Sequence, residues 1–291
     1  MAEVRYRAVC GEDVSAIADV YFESIGDLFT RNNITLPIPP RPAVLGICEH
    51  YVSVGIFHLA ELAGEIVAVA CAIVRDHIWY LNLFWTRPNQ QRKGIGMPLL
   101  RAVWNAGKEA GASIFFTHSS MDTTAMAAYM KMGMLPGHQI LYFGGTPERL
   151  SPKPSGYEVV MLDKSTAIDI DREIRGTGRE PDHEFWLSDG GFQGRQVLHN
   201  GSVIGYYYLG RGGIGPAAWR SPQEAEGMMI LACREATETA SEIRFSVPGI
   251  NHAALRFAFD SGMRLTGCFH FLTTASFGRF DQYIPSGPSF Y

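Results

Sequence analysis

Two stretches of this chain, 129 positions apart, repeat one succession of elements. Ile114, Phe116, Ala125, Gly133 and Met134 fall over Ile243, Phe245, Ala254, Gly262 and Met263 without a gap. Each stretch reads as an apolar strand, then a helix, then a terminal glycine, and that shared order is what an internal duplication produces. Gly64–Ala68 and Gly201–Gly205 match as hairpin turns, each entering a strand. With 291 residues, 46% of them hydrophobic, the chain is long enough to give each copy its own core. The expected organisation is a domain over 1–146, a linker rich in Pro and Gly over 147–156, and a second domain over 157–291. The run Tyr283–Tyr291 combines Pro and Gly with aromatics and is expected to pack on a domain surface.

Within the first copy, Ile78–Trp85 reads as a buried strand, and Leu99, Leu100, Val103 and Trp104 recur at helical spacing. Pro98 suits a first helical turn, whereas Gly107 continues the apolar face at a small cost in helix propensity. Between strand and helix lie Gln91, Arg92, Lys93, Gly94, Ile95 and Gly96. A helix amino end carries unpaired N–H groups and a partial positive charge, so an anion seated there is stabilised twice over. Gly94 and Gly96 let phosphate oxygens approach the backbone, Arg92 and Lys93 add positive charge, and Gln91 adds a neutral donor. Leu99 stands where a dinucleotide-binding loop has its third glycine, and no Gly-Lys-Ser/Thr follows, so neither common phosphate-loop pattern fits. The six residues either cradle a pyrophosphate or form a basic, glycine-rich surface turn.

The spacing Gln91-x-x-Gly94-x-Gly96 resembles the Gln/Arg-x-x-Gly-x-Gly/Ala signature of the GNAT superfamily of N-acetyltransferases, whose main-chain amides hold the pyrophosphate of acetyl-CoA. Downstream, Ala125, Tyr129 and Gly133 match the superfamily's Asn-x-x-Ala, Tyr and Gly-Phe spacing, with Asp122 where Asn is usual and Met134 where Phe is usual. The motifs cover about residues 76 to 135, and the repeated chain as a whole is similar to bacterial tandem GNAT proteins. The resemblance implies an α/β (mixed α+β) fold of two tandem GNAT-like domains, each a mixed, mostly antiparallel sheet flanked by helices. It implies acetyl-CoA as cofactor, held by Phe84, Trp85, Thr86, Gln91, Arg92, Lys93, Gly94, Ile95, Gly96, Asp122, Ala125 and Tyr129. Tyr129 would also protonate the leaving thiolate; its other reading is a core tyrosine.

An amine must lose a proton before it attacks a thioester, and many superfamily members place a Glu on the fourth strand for this. Asn82 stands on that strand here and can orient a water without taking its proton. Glu61, Asp76, His77 and His118 are the candidate bases, His118 foremost because it follows the neighbouring strand; its other reading is a hydrogen-bonded core or edge residue. The proline-rich connection 30–42 reads as an acceptor-site wall or as an inert surface loop. Two functions compete: an acetyl-CoA-dependent N-acyltransferase acting on an amine, a small molecule rather than a protein, and a non-catalytic acyl-CoA-binding module.

In the second copy, the constant shift sets Arg220, Gln223, Ala225 and Ala258 at the places of Gln91, Gly94, Gly96 and Tyr129. Glu224 and Glu226 would repel a phosphate there, so that site reads as decayed. The run Gly210–Gly215 reads as a glycine-rich turn or as a separate anion cradle. A net charge of −4 without a basic stripe argues against nucleic acid or an anionic membrane as partner. No targeting segment or bilayer-length apolar run is visible, which fits a cytoplasmic protein. The five scattered cysteines read as reduced core residues, and no metal-ligand spacing occurs.

Overall fold

A computed structural model describes residues 3–188, 191–210 and 212–291. The chain forms two compact units, residues 1–136 with 271–275, and residues 137–270 with 276–291.

The first unit begins with β1 (Val4–Ala8), α1 (Val14–Asn32) and α2 (Arg41–Val54), followed by β2 (Ile56–Leu62), β3 (Glu65–Arg75) and β4 (Ile78–Thr86). It continues with α3 (Gly96–Glu109), β5 (Ile114–Ser119) and α4 (Thr123–Lys131). β1 to β4 pair antiparallel in sequence order, and β5 adds in parallel to β4. Residues 271–275 complete the unit beside β5, where Thr274 donates its N–H to the Phe115 carbonyl at 2.9 Å. Ala63 and Gly64, at φ 53° and 84°, make the two-residue β2–β3 hairpin turn expected from Gly64.

Strand alternation sends Ala68, Ala70, Ala72, Trp79 and Leu81 to one face, where Leu99, Leu100, Val103 and Trp104 of α3 cover them. α1 packs on the opposite face of β3 and β4. Gly107 has a stricter role than its helix propensity suggested. A Cβ there would stand 2.3 Å from Trp79 Cδ1, and Trp79 also donates from Nε1 to the Val103 carbonyl at 3.2 Å. Glycine is what lets the indole seat against the helix backbone. Gly107→Ala is therefore expected to lower stability by about 1–3 kcal/mol through overpacking, read as a reduced urea midpoint with an unchanged slope.

The second unit holds β6 (Leu135–Gly145) from Gly137 onward, β7 (Tyr157–Met161), α5 (Lys164–Arg175), α6 (Glu180–Leu187), β8 (Gln193–His199) and β9 (Ser202–Gly210). After these come β10 (Gly213–Trp219), α7 (Ala225–Thr239), β11 (Ile243–Pro248), α8 (His252–Asp260), β12 (Arg264–Thr273) and β13 (Tyr283–Ile284). Its sheet runs β12, β6, β11, β10, β9, β8, β7, with β13 on β10. The repeat is close in this region: moved by 129 positions, β5 becomes β11 and α4 becomes α8, residue for residue. Asn200 and Gly201, at φ 51° and 81°, repeat the hairpin turn.

Two sequence expectations need correction, and one open reading resolves to its turn alternative. β6 pairs with β11 from Ile140 to Gly145, so residues 137–145 belong to the second unit, and the unit boundary falls at Pro136. Residues 283–291 pack more deeply at their ends than surface packing implies: Tyr283, Ile284, Phe290 and Tyr291 are buried, while 286–289 keep exposure. Gly210 and Gly213 are paired across a β9–β10 hairpin, which makes their glycines turn residues; Arg211 lies outside the described residues. Among the described residues, no helix is long and apolar enough to cross a membrane, and no three His, Cys, Asp or Glu side chains cluster as metal ligands.

Candidate functional site

The site begins where two strands of the first unit part. β4 and β5 are paired from Ile78–Ile114 to Leu81–Thr117, and at that last rung Thr117 Oγ1 donates to the Leu81 carbonyl at 3.0 Å. The next residue is extra: β3 pairs Ala72 with Leu81 and Cys71 with Leu83, leaving Asn82 in a bulge. Its Oδ1 and Nδ2 are both buried with no protein partner, as is the indole Nε1 of Trp85. Unmatched buried polar atoms cost about 1–3 kcal/mol each, so these three have a use for a ligand or a water. Past the bulge β4 still pairs with β3 as far as Thr86, so Phe84, Trp85 and Thr86 form a strand whose other edge has lost β5.

Residues 87–95 then connect β4 to α3. Arg87 anchors the start, donating from its backbone N–H to the Val67 carbonyl at 2.9 Å and from Nε to the Ile66 carbonyl at 2.8 Å, while pairing with Glu23. Gln91 Nε2 donates to the Thr86 carbonyl at 3.1 Å, and Ser24 Oγ of α1 donates to the same oxygen at 3.1 Å. Gln91 thus ties the loop to the strand end. Arg92 and Gly94 both take left-handed backbone, at φ 62° and 84°, and Lys93 Nζ reaches the Gln90 side chain at 3.1 Å. Open space surrounds the Cβ position of Gly94, so its requirement is conformational. Gly96 serves close approach: a Cβ there would stand 3.1 Å from Phe84 Cζ. α3 begins at Gly96 without any side-chain cap, and Tyr6 fixes the turn by donating its hydroxyl to the Ile95 carbonyl at 3.2 Å.

Phe84 joins loop and helix, since its ring lies under Gly96 and 6.0 Å from the ring of Tyr129. Tyr129 on α4 is 6% exposed and belongs to the core under α3, with Ala125 packed beside it. Burial, helped by the charge of Asp122, pushes its phenol well above the usual tyrosine range, so the hydroxyl keeps its proton. Asp122 caps α4, accepting from Thr124 N–H at 2.9 Å and Ala125 N–H at 3.0 Å, and its other oxygen pairs with Arg31 at 3.1 Å. Burial opposes the charge, but the capping amides and Arg31 prevail and hold this carboxyl below its ordinary value. His118 stands one residue past the last β4–β5 rung and is buried. Strand alternation sets it with Phe116, on the face away from Phe115 and Tyr129. The structure therefore gathers Phe84, Thr86, Gln91, Gly96, Ala125 and Tyr129, and leaves His118 across the sheet. Ser24 and Arg31 are additions that no local pattern reveals, because their partners lie 62 and 91 residues away.

The corresponding place in the second unit is closed. Only residues 220–224 connect β10 to α7, four fewer than in the first unit, so an ungapped match of Gly94 to Gln223 compared residues across a deletion. Glu224 precedes α7 without capping it, its carboxylate accepting from the Tyr157 hydroxyl and from His199 Nδ1 at 3.0 Å. Gly227 leaves room for the Tyr157 ring, whose Cζ would be 2.7 Å from a Cβ. A carboxylate and a tyrosine ring of the chain itself thus stand beside the start of α7.

The sequence model of the acetyltransferase (GNAT) family matches residues 24–134. No curated protein matches the chain. Among solved structures, a Pyrococcus horikoshii protein named as a candidate acetyltransferase is similar over 99% of this chain and 96% of its own, with TM-score 0.80 and 19% identity. A tandem GNAT protein from the clavulanic acid biosynthesis pathway covers 93% of this chain and 98% of its own, with TM-score 0.64 and 13% identity. A GCN5-related N-acetyltransferase from Sphaerobacter thermophilus covers 93% and 95%, with TM-score 0.65 and 15% identity. Residues 24–134, within the first unit, accordingly match the acetyltransferase (GNAT) family, and 93% of the chain shares the fold of a tandem GNAT protein.

Proposed function

We propose that the protein is an acetyl-CoA-dependent N-acyltransferase that moves an acetyl group to an amine, a small molecule rather than a protein, using the first unit alone. The observation that carries this reading is the uncapped amino end of α3, opening behind left-handed Gly94 onto the strand edge that β5 has left. Amides at that helix end, with Arg92 and Lys93, suit a diphosphate. The free edge at Phe84–Thr86 suits the two amide groups of a pantetheine arm, as a sheet edge suits a strand.

Acetyl-CoA supplies an activated thioester. The residues around it bind, orient and move protons. Tyr129, kept protonated by burial, donates to the departing thiolate. Asn82 orients the amine or a water through its unpartnered amide, and His118 takes the amine's proton. The two proton-handling groups stand on opposite faces of the sheet, which suits an amine entering from the side away from the sulfur.

Calorimetric titration with acetyl-CoA tests the reading. One equivalent per chain is expected. Gly94→Val should raise the dissociation constant by about 5- to 150-fold, because a β-branched residue at that φ costs about 1–3 kcal/mol and depopulates the competent loop. Absence of heat with the wild-type chain, or equal affinity in the variant, would remove the loop from coenzyme binding.

A further inference from the structure

β10 and β11 pair in parallel at Gly213 and Arg244 and then part, as β4 and β5 do in the first unit. In the second unit the parting is filled. β13 lies antiparallel on β10, Ile284 opposite Ala217 and Tyr283 opposite Ala218. Side chains fasten it along its length. Gln282 Nε2 donates to the Trp219 carbonyl at 2.8 Å, Asn251 Nδ2 to the Tyr283 carbonyl at 3.1 Å, and Ser246 Oγ to the Pro285 carbonyl at 3.5 Å. Asn251 caps α8 and Ser246 lies on β11, so both walls of the parting grip one segment. At Gly215 a Cβ would come within 2.5 Å of the Pro285 carbonyl oxygen, so a side chain there would displace it.

Backbone hydrogen bonds align the two units at this place. Arg220 N–H donates to the Ile204 carbonyl as Arg87 N–H donates to the Val67 carbonyl, which sets Ala217 and Ala218 over Phe84 and Trp85. Those are the residues whose edge β5 has vacated. The differences make sense for two kinds of occupant. Large rings at 84 and 85 fit a slender arm that carries amides and few branches, whereas alanines at 217 and 218 leave room for a peptide's Tyr and Ile side chains. The caps differ in the same sense. Asp122 has only acceptor atoms, while Asn251 keeps an N–H₂, and the carbonyl of Tyr283 receives it.

We propose that the cleft of the second copy is a strand-binding site whose occupant is the chain's own segment 282–286, seated where a pantetheine arm would lie in the first unit. The comparison with pantetheine rests on the coenzyme reading of the first unit; the seat and its occupant rest on the second unit alone. The second copy keeps the binding geometry of its fold and fills it from within.

Amide hydrogen exchange on the full chain tests this without coenzyme, so its failure and that of the proposed function are separable. Tyr283 and Ile284 amides are expected to exchange as slowly as those of β10. Asn251→Asp keeps an oxygen to cap Ala254 and loses the donor to Tyr283; it should speed exchange over 282–286 about tenfold, with α8 and β9 unchanged. Gln282→Glu, which loses the donor to Trp219, should do the same. Free exchange at 283–284 in the wild type overturns the proposal. So does an unaltered rate in both variants, or a loss of protection spread across the whole second unit.

Discussion

Tyr129→Phe is expected to slow single-turnover acyl transfer at least roughly a hundredfold, while coenzyme affinity and thermal midpoint stay close to wild type. The ring is buried in the core under α3 and is retained by the substitution, so the change removes a hydroxyl and little packing. The direction of its pKa bears on the proposed role. A phenol raised by burial keeps its proton throughout the neutral range, which fits the proposed donor to a departing thiolate rather than a base. Its position supports the same role, because Phe84 links it to the loop that would hold the diphosphate. The measurement is rapid mixing of the acetyl-CoA complex with amine, followed by thiol release. A rate equal to wild type would leave Tyr129 as a packing residue.

How much of this was legible beforehand depended on how local each feature is. The glycine loop, the helix after it and the repeated β5–α4 segment are set by neighbours in sequence, and their elements fall where periodicity placed them. The deletion at 220–224 was hidden because a constant shift still paired Gly96 with Ala225, the first residues of α3 and α7. Long-range pairing was hidden more deeply. Leu135–Gly145 follows the first copy in sequence but lies between β12 and β11, pairing with β11 over Ile140–Gly145, and nothing in its composition names those partners. Tyr283–Tyr291 contains Pro and Gly that argue against regular structure, yet a parted strand pair offered unpaired backbone groups and an apolar cleft, which bury it. Gly107 shows the same limit at one residue: propensity assigns it a cost, while contact with Trp79 makes it necessary.

Asp171→Ala is expected to destabilise the second unit by about 3–5 kcal/mol, the range for stripping one partner from a buried ion pair. Asp171 is fully buried on α5. It accepts from Arg179 Nε at 2.7 Å, from His183 Nε2 at 2.9 Å and from the Tyr206 hydroxyl at 2.5 Å. Arg179 in turn donates through Nη1 to the carbonyls of Phe290 and Tyr291, so the carboxylate indirectly holds the residues that follow the segment filling the cleft. Without it, Arg179 remains 3% exposed with its charge unmatched at Nε. Burial alone would raise the pKa of Asp171, but Arg179 and His183 outweigh burial and hold it well below the ordinary aspartate range. The sign of the pH dependence follows. A carboxyl depressed in the folded state contributes its full stability above the unfolded value near 4, and loses it as pH falls toward the folded value. Wild-type urea midpoints should therefore fall progressively as pH is lowered below about 4, and the Asp171→Ala midpoints, lower throughout, should fall less steeply over the same range. Parallel pH profiles for the two proteins would mean that the charge of Asp171 contributes nothing, and that its hydrogen bonds alone account for the loss.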